Sequence, residues 1–368
     1  MSEEDQKREE LINKVKGFFK SDSKEENSSD LDQKREELLT TLKEKQNWIV
    51  YLLLGIIIWV TSYVRLKSVK NLIDVTTGKH VPMALDPHLF LKYAKYIVEH
   101  GSLYAHDVAR FVPEGISTIK YVFMSSFIVY VYKIMHFFNP AVTIEYAAIV
   151  YPVVTFAGAM VFFFLLVRRL FDDKIALLAT LFLTVVPAFL HRTTAGFSDH
   201  ESLGIMLMFM AMYFYVVGWQ QKTNKKSIIY GSLAGIFTGL MGLTWGGWKF
   251  LILIISIFIL IVYFFDKLET KDTYQYITWV VFFVLTTTTW IPMFSLKVLF
   301  GSFTTSIAFL VVFMLLVDLF IFKKDLLKIK QKIKGKVPLS VASFCISIVL
   351  GLILVSAALG PTVFIEKS

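Results

Sequence analysis

Residues 146–167 read YAAIVYPVVTFAGAMVFFFLLV, and Arg168 and Arg169 follow at once. A stretch of this length without a charged residue is long enough to cross the hydrocarbon core of a bilayer as one helix. Basic residues directly after such a stretch are typical of its cytoplasmic end. The segment therefore predicts a transmembrane helix that leaves the membrane on the cytoplasmic side.

The composition of the chain agrees with this interpretation. Of its 368 residues 55% are apolar and only 18% are charged, whereas soluble chains keep about 25% charged. The net charge of +9, from 38 basic and 29 acidic residues, would suit a nucleic-acid partner. We exclude nucleic acid because the charges lie in an N-terminal tail and in short loops between apolar runs. The single cysteine, Cys345, lies inside an apolar run, which excludes a disulfide framework and a cysteine-based metal site.

Eight further apolar runs of similar length predict spanning helices. They lie at about 48–64, 175–190, 202–219, 227–243, 249–265, 274–294, 299–322 and 337–359. Another run, 119–138, is apolar but carries Lys120, Lys133 and His136. The sequence thus predicts an all-α polytopic membrane protein with about nine transmembrane helices.

The distribution of basic residues predicts the topology. Polar loops rich in Lys and Arg follow every second apolar run, at 168–174, 222–226, 267–271 and 323–336. With these loops in the cytoplasm and the N-terminus on the same side, residues 65–145 form a large first external loop. The run 119–138 is then expected not to cross the membrane, and the C-terminus lies outside.

Residues 1–47 form a charged tail that contains a short internal repeat. The segment DQKREELI, which begins at Asp5, recurs as DQKREELL from Asp32. Each copy has the composition of a short amphipathic helix, and we expect no catalytic role for the tail. The predicted domains are therefore a cytoplasmic tail, 1–47, and a transmembrane catalytic domain, 48–368.

The external segments carry an unusual set of polar groups: Asp86 in the first loop, Arg192, Asp199, His200 and Glu201 in the second, and Trp245 in the third. Several have ordinary structural interpretations. Asp86 followed by Pro87 is typical of a helix start, and Gly101 of a helix end. Ser198 and Glu201 have the spacing of a capping box, and Trp245 and Trp248 suit interfacial anchors.

A functional interpretation of the same acids is that Asp86, Asp199 and Glu201 converge on one face of the membrane. Carboxylate oxygens are the ligands that Mg²⁺ and Mn²⁺ prefer. The adjacent helix N-termini would favour an anion such as a diphosphate. A cation and a diphosphate at a membrane surface indicate a lipid-linked sugar donor.

Three stretches resemble the catalytic subunits of oligosaccharyltransferases, in particular the single-subunit archaeal and bacterial type. The stretches are D-P-x-x-x-x-x-Y at Asp86–Tyr93, R-T-x-A-G-x-x-D-x-E at Arg192–Glu201 and G-L-M-x-L-T-W-G-G at Gly239–Gly247. The resemblance covers about 48–360, and the second stretch is its most specific part. It implies a GT-C glycosyltransferase-like fold with a helical first external loop and a site on the external face of the cell membrane.

The resemblance also implies an activity, which is transfer of a glycan from a polyprenyl diphosphate carrier to Asn in Asn-x-Ser/Thr of an acceptor polypeptide. Asp86 matches the acid that contacts both the cation and the acceptor amide, and Asp199 and Glu201 match the two further cation ligands. Arg192, His200 and Trp245 are candidates for substrate binding. The cation is expected to be Mn²⁺ or Mg²⁺.

Two departures from the family pattern stand out. The family has a further Glu in a Thr-Ile-x-Glu pattern, for which Glu366 is the candidate although its spacing from Thr362 is one residue longer. No counterpart of the family's C-terminal external domain is present in the sequence, so we expect either the N-terminal portion of a longer or split enzyme, in which a second chain can supply that part, or a chain that cannot act alone. Two alternative functions remain: a polyprenyl-phosphate glycosyltransferase with a hydroxyl acceptor, and a secondary transporter, which the nearly uncharged span centres disfavour.

Overall fold

The computed structural model describes residues 48–291, 293–323 and 339–359. The predicted tail helices and Glu366 lie outside the described residues. The chain divides into two compact units, Met1–Gly55 and Ile56–Ser368. The first unit contributes only residues 48–55 to the described part, where they form the beginning of the first helix. The candidate site and its supports all belong to the second unit.

The described residues are almost entirely helical. The helices of the first half are α1 (48–66), α2 (Leu85–His100), α3 (Ile119–Phe138), α4 (Ile144–Leu170), α5 (Asp173–Val185) and α6 (Pro187–Arg192). Those of the second half are α7 (His200–Trp219), α8 (Asn224–Gly242), α9 (Trp248–Phe264), α10 (Thr270–Leu285), α11 (Leu296–Gly301), α12 (Phe303–Val317) and α13 (Leu339–Leu359). Short 3₁₀ and π turns follow three of them, at Lys67–Asn71, Thr286–Trp290 and Asp318–Lys323.

This architecture confirms the predicted all-α polytopic membrane fold. Five helices in the described residues are long and apolar enough to cross a membrane: Trp48–Asn71, Ile119–Phe138, Ile144–Leu170, His200–Trp219 and Phe303–Ile321. The other predicted spans are also helical, but their helices are shorter, less apolar or interrupted. Helix α3 meets the length requirement, so its placement outside the membrane stays a prediction based on charge.

Two of the predicted spans are interrupted, which corrects the expected boundaries. The run 175–190 breaks at Val186, because Pro187 starts the new helix α6 and lacks the N–H that α5 would need to continue. The run 299–322 breaks at Ser302, whose backbone is extended between α11 and α12. Part of each run therefore folds as a separate short helix.

The segment 65–145, which the charge pattern predicts to be the first external loop, is built on α2. This helix ends where the sequence predicts, because Gly101 adopts a left-handed conformation with φ +82° and its N–H donates to the carbonyl of Ile97 at 2.8 Å. A small antiparallel hairpin, β1 (His106–Asp107) with β2 (Ile116–Ser117), follows α2 and was not predicted. The loop thus has ordered structure of its own rather than being a flexible connection.

Ion pairs between partly exposed lysines and buried carboxylates hold this loop together and attach it to α4. The carboxylate of Asp107 accepts hydrogen bonds from Lys92 Nζ at 2.9 Å and from the Tyr93 hydroxyl at 2.8 Å. Burial would raise the pKa of Asp107, but these two donors outweigh it and lower that pKa. Lys95 lies 2.9 Å from the carboxylate of Glu145 at the start of α4. Helix α2 is therefore held at fixed positions against both the hairpin and α4.

Close packing around α7, α8 and α10 forms the apolar core. Three glycines of α8 face α10: a Cβ at Gly231 would lie 2.6 Å from the carbonyl oxygen of Gln275, and Gly235 and Gly239 have equally little room. Small residues at such spacing let helices approach closely in a membrane protein. This packing gives α7, which carries the acidic segment at its N-terminus, a rigid support.

Candidate active site

The loop before α2 and the loop before α7 meet at Gly196. Its carbonyl oxygen accepts the backbone N–H of Met83 at 2.9 Å, and its own N–H donates to the carbonyl of Ile149 in α4 at 2.7 Å. Gly196 has φ +91°, a conformation that side chains disfavour. The loop before Asp86 and the loop before Asp199 are thus hydrogen-bonded to each other.

Asp199 is fixed at the N-terminus of α7 as its N-cap residue. Its Oδ1 accepts hydrogen bonds from the backbone N–H of His200 at 2.7 Å and from the His200 ring nitrogen Nδ1 at 2.6 Å. The hydroxyl of Tyr151, which is fully buried in α4, donates to the Asp199 carbonyl oxygen. These contacts leave Oδ2 of Asp199 as the carboxylate oxygen that faces Arg192.

The predicted capping box at Ser198 and Glu201 is wrong. Ser198 is completely buried, and its hydroxyl donates to the carbonyl of Ala148 in the neighbouring helix instead of capping α7. Asp199 takes the cap position one residue later. Glu201 is therefore free of a capping role, and its side chain joins the acidic cluster.

Glu201 and Arg192 form the second half of the cluster. Arg192 Nη1 lies 3.0 Å from Glu201 Oε1 and 3.8 Å from Asp199 Oδ2. The other carboxylate oxygen, Glu201 Oε2, is buried and has no hydrogen-bond partner among the residues that the structure describes. A buried carboxylate oxygen without a donor is energetically costly, so it points to a ligand of positive charge.

One ligand atom each of Asp199, His200 and Glu201 lies within 4.8 Å of the others, close enough to hold one metal ion. Burial would raise the pKa of the Asp199 carboxyl, but the hydrogen bonds from His200 and the charges of His200 and Arg192 outweigh it. The pKa of Asp199 is consequently lowered, which keeps this carboxylate ionised and able to bind a cation.

Asp86 lies beside this cluster but outside the tight group of three. It is exposed in the first turn of α2, and Ala84 is the N-cap residue, so the predicted capping role of Asp86 is wrong. The charge of Asp86 acts on the His200 ring, and Phe90, one turn further along α2, packs edge-on against that ring at 6.3 Å. The two loops are thus in contact at Met83 and Gly196, and the convergence of Asp86 with Asp199 and Glu201 on one cation stays a prediction.

The sequence assigned His200 to substrate binding, and the structure places it with Asp199 and Glu201 in a group that could hold a metal ion. The sequence signal for this grouping was the position of His200 between Asp199 and Glu201, because three consecutive residues at the start of a helix lie close together. Tyr151 and Arg65, which hold the loop from neighbouring helices, carried no sequence signal, because Tyr151 belongs to an apolar run and Arg65 directly follows one.

Trp245 and Trp248 have different surroundings. Trp245 is half-buried against the first turns of α7, where a Cβ at Gly204 would lie 2.8 Å from its Cβ. Trp248 is only 3% exposed and packs against Phe283 and Phe294 at ring distances of 5.2 and 5.7 Å. The interpretation of Trp248 as an interfacial anchor is therefore wrong, whereas Trp245 lies next to the acidic cluster.

This fold, a helical membrane core with a helical segment between α1 and α4, agrees with the GT-C-like architecture that the resemblance implies. The family model described as "Oligosaccharyl transferase STT3, N-terminal" matches residues 49–366. The chain belongs to this family. The resemblance found in its acidic motifs is thereby confirmed.

Individual relatives agree with the family. The dolichyl-phosphooligosaccharide-protein glycotransferase of Methanococcus voltae is 24% identical over 213 residues, which are 54% of this chain and 23% of the relative. The STT3 subunit of the dolichyl-diphosphooligosaccharide–protein glycosyltransferase of Saccharomyces cerevisiae is 29% identical over 112 residues, 30% of this chain and 15% of the subunit. The chain as given spans less than a quarter of either relative.

Solved structures show the same fold. The Archaeoglobus fulgidus oligosaccharyltransferase AglB, in complex with an inhibitory peptide and a dolichol-phosphate, has a TM-score of 0.67 at 18% identity, covering 85% of this chain and 38% of that one. The A. fulgidus enzyme in complex with Zn and sulfate has a TM-score of 0.63 at 17% identity, covering 83% and 40%. A metal is therefore bound in a structural neighbour of this chain.

Proposed function

We propose that the protein transfers an oligosaccharide from a polyprenyl (dolichyl) phosphate or diphosphate carrier to the Asn side chain of Asn-x-Ser/Thr in an acceptor polypeptide. The family and the relatives named for this activity support the proposal. The observation that carries it is the buried, unpartnered Oε2 of Glu201 beside the ionised Asp199. This arrangement suits a protein that binds a cation next to a diphosphate.

The residues present fit a divalent cation. Asp199 and Glu201 offer carboxylate oxygens, which Mg²⁺ and Mn²⁺ prefer, and the imidazole of His200 favours Mn²⁺ over Mg²⁺. We propose Asp199 and Glu201 as ligands, with Asp86 completing the set when substrate brings the loops closer. When bound, the cation would neutralise the negative charge of the departing diphosphate.

The chain's own residues have separate roles in this proposal. Asp86, exposed at the start of α2, accepts hydrogen bonds from the N–H₂ group of the acceptor amide and so localises the nitrogen lone pair. The nitrogen then bonds to the anomeric carbon while the bond from that carbon to the diphosphate oxygen breaks, the diphosphate leaves with the bonding electrons, and the amide proton passes to the Asp86 carboxylate. Arg192 donates to phosphate oxygens, the role for which a guanidinium is best suited.

Two further residues are assigned to the substrates. Trp245 lies beside the first turns of α7 and offers an apolar surface to the polyprenyl chain. Glu366, outside the described residues, is proposed as an additional acid of the catalytic site. We propose that the site faces the cell exterior, that the N-terminus is cytoplasmic, and that a second chain supplies the part that recognises the acceptor Ser or Thr.

The test is a transfer assay in membranes that contain the chain with any companion chain from the same source. A fluorescent peptide with Asn-x-Thr, its Gln-x-Thr counterpart as control, and a lipid-linked oligosaccharide are incubated with and without Mn²⁺. We expect glycosylation of the Asn peptide alone, lost on chelation and restored by Mn²⁺. Transfer to a hydroxyl acceptor, with neither peptide modified, would replace the proposal by the alternative glycosyltransferase function.

A further inference from the structure

Arg65, near the end of α1, is a buried cation that the proposed reaction does not use. Its side chain is only 2% exposed, and its guanidinium stacks on Phe156 of α4 with 3.7 Å between the guanidinium carbon and the ring centre. Its hydrogen-bond acceptors in the described part of the chain are neutral oxygens: Thr193 Oγ1 at 2.9 Å, the Thr184 carbonyl at 2.9 Å and the Thr61 carbonyl at 3.3 Å. A buried charge held by neutral groups alone is rare and costly, which indicates a specific role.

The contacts of Arg65 converge on the loop that precedes Asp199. Besides the bond to Thr193, its own carbonyl oxygen accepts the N–H of Ala195 at 3.2 Å. Ser68, one turn further on, donates from its hydroxyl to the carbonyl of Ala195 at 3.0 Å. The end of α1 and the 3₁₀ turn after it therefore hold both the N–H and the carbonyl group of Ala195.

The Thr193 hydroxyl has a fixed orientation in this arrangement. It donates to the carbonyl of Phe189 at 2.6 Å and accepts from Arg65 Nε. Thr193 directly follows Arg192, whose guanidinium reaches both acids of the cluster. The position of Arg192 is consequently set one residue away from the Arg65 contact.

The loop continues from Ala195 to Gly196, which is bonded to Ile149 and to Met83. Arg65 thus lies at the beginning of a short series of backbone hydrogen bonds that leads to both acidic loops. We propose that Arg65 is a positioning residue that holds the 193–196 turn so that Arg192, Asp199 and Glu201 keep the geometry needed to bind a cation. This inference rests on the proposed function, because it assumes that the cluster binds a cation.

Only an arginine can make this set of contacts. Its planar fork reaches three oxygens in different directions while its face stacks on an aromatic ring. A lysine at this position would keep the charge but provide a single point of attachment. Arg65→Lys is therefore expected to retain folding and to loosen the turn.

The experiment measures Mn²⁺ binding by electron paramagnetic resonance of the free ion, with the purified full chain in detergent. We expect Arg65→Lys and Thr193→Val to raise the Kd for Mn²⁺ about tenfold, as loss of an outer support of a metal site does. Thr193→Ser keeps the hydroxyl and is expected to retain the wild-type Kd. If the Arg65 variant does not fold, Thr193→Val still tests the inference, because it removes the hydroxyl that accepts the Arg65 hydrogen bond.

The matched control is Ser227→Ala, which removes another buried hydrogen bond, from Ser227 Oγ to the carbonyl of Gly218 at 3.1 Å. Gly218 lies about 27 Å along α7 from His200, so this variant should lower the melting temperature without changing the Kd. If folded Thr193→Val binds Mn²⁺ with the wild-type Kd, the positioning role of Arg65 is overturned, while the proposed cation site stands. A wild-type chain that binds no Mn²⁺ would overturn the cation site and this inference with it.

Discussion

The backbone N–H of Met83 donates to the carbonyl oxygen of Gly196 across 2.9 Å, and each of these two residues stands three positions before a carboxylate of the site. Asp86 follows Met83, and Asp199 follows Gly196. One hydrogen bond between two loops therefore sets the relative position of acids that are more than a hundred residues apart in sequence. The site depends on this junction as much as on the acids themselves.

Replacement of Gly196 by Ala should disrupt the junction. The residue has φ +91°, and a Cβ there would lie 2.9 Å from Met83 Cγ and closer still to Leu72. Strain at positive φ and overpacking together predict a destabilisation of roughly 2–5 kcal/mol. Thermal unfolding of the purified protein should show a clear fall in melting temperature, and transfer activity should fall with it.

Gly78→Ala is the matched control, because Gly78 also has a positive φ, +67°, but nothing lies within 4 Å of an added Cβ. It should cost only the backbone strain, about 1–2 kcal/mol, and leave activity unchanged. Equal shifts in melting temperature for the two variants would contradict the steric argument at Gly196.

Asp86→Ala should abolish transfer while leaving membrane insertion intact. The side chain is exposed, so its removal costs little stability, whereas the acceptor amide loses the group that would accept its hydrogen bonds. Loss of one such polar contact to the reacting group predicts a fall in kcat of at least about 10²-fold. The rate of single-turnover transfer to the Asn-x-Thr peptide measures this loss. His88→Ala, a substitution of an exposed residue two positions away, is the control. Wild-type rates in Asp86→Ala would remove Asp86 from the catalytic site.

The sequence predicted the helical segments well, and the grouping of Asp86 with Asp199 and Glu201 stays a prediction. Apolar runs identified the membrane helices because the hydrophobic length of a span is a local property of the sequence. The helix from Leu85 to Gly101 was also predicted, because its first-turn Pro and its terminal Gly have strong backbone preferences. The charge pattern, which predicts that both acidic loops are external, agrees with their contact at Gly196.

The capping residue of α7 and the buried contacts of Arg65 could not be predicted from the sequence in the same way. Ser198 and Asp199 are both good caps, and the choice between them depends on the Ala148 carbonyl, which belongs to another helix. Arg65 at the end of an apolar run resembles an ordinary interfacial cation, and its partners are more than a hundred residues away in sequence. Such roles depend on tertiary packing, which one sequence does not reveal.

The ion pair in the first external loop predicts a specific acid sensitivity. The pKa of Asp107 is lowered in the folded chain, so its ionised form stabilises the loop above the ordinary pKa of an aspartate, about 3.9. That stabilisation is lost as the pH falls through the lower, folded-state pKa. Asp107→Asn should lower the free energy of unfolding at pH 6 by about 1–3 kcal/mol, because Lys92 and Tyr93 lose a charged acceptor, and the melting temperature should fall with it.

The same substitution should flatten the decline of the melting temperature between pH 5 and pH 3, because the titrating carboxylate is gone. Glu114→Gln, an exposed acid of the same loop, serves as control and should keep the wild-type profile. If Asp107→Asn and the wild type lost stability in parallel on acidification, the Asp107 pair would not be the source of the acid sensitivity.

The last prediction concerns helix α3, whose position decides the topology of the chain. Helix α2 contacts a residue at the start of α3 and another shortly after the end of α3: the ring of Tyr93 lies 5.5 Å from that of Tyr121, and Lys95 pairs with Glu145 in the first turn of α4. Contacts of this kind, together with Lys120 and Lys133, support a helix that lies outside the membrane core. Both ends of α3 are then expected on the external side.

Cysteine labelling measures this directly in a chain whose native Cys345 is replaced by Ser. An impermeant maleimide should modify Ser102→Cys and Asn139→Cys equally in intact cells, because these exposed positions flank α3 on the same side. Thr223→Cys, in a loop predicted to be cytoplasmic, should react only after permeabilisation. Labelling of Asn139→Cys only in permeabilised cells would mean that α3 crosses the membrane. The hydrogen bond between Met83 and Gly196 requires the two acidic loops to lie on the same side of the membrane. The loops that the charge pattern places in the cytoplasm would then be external, and the others cytoplasmic.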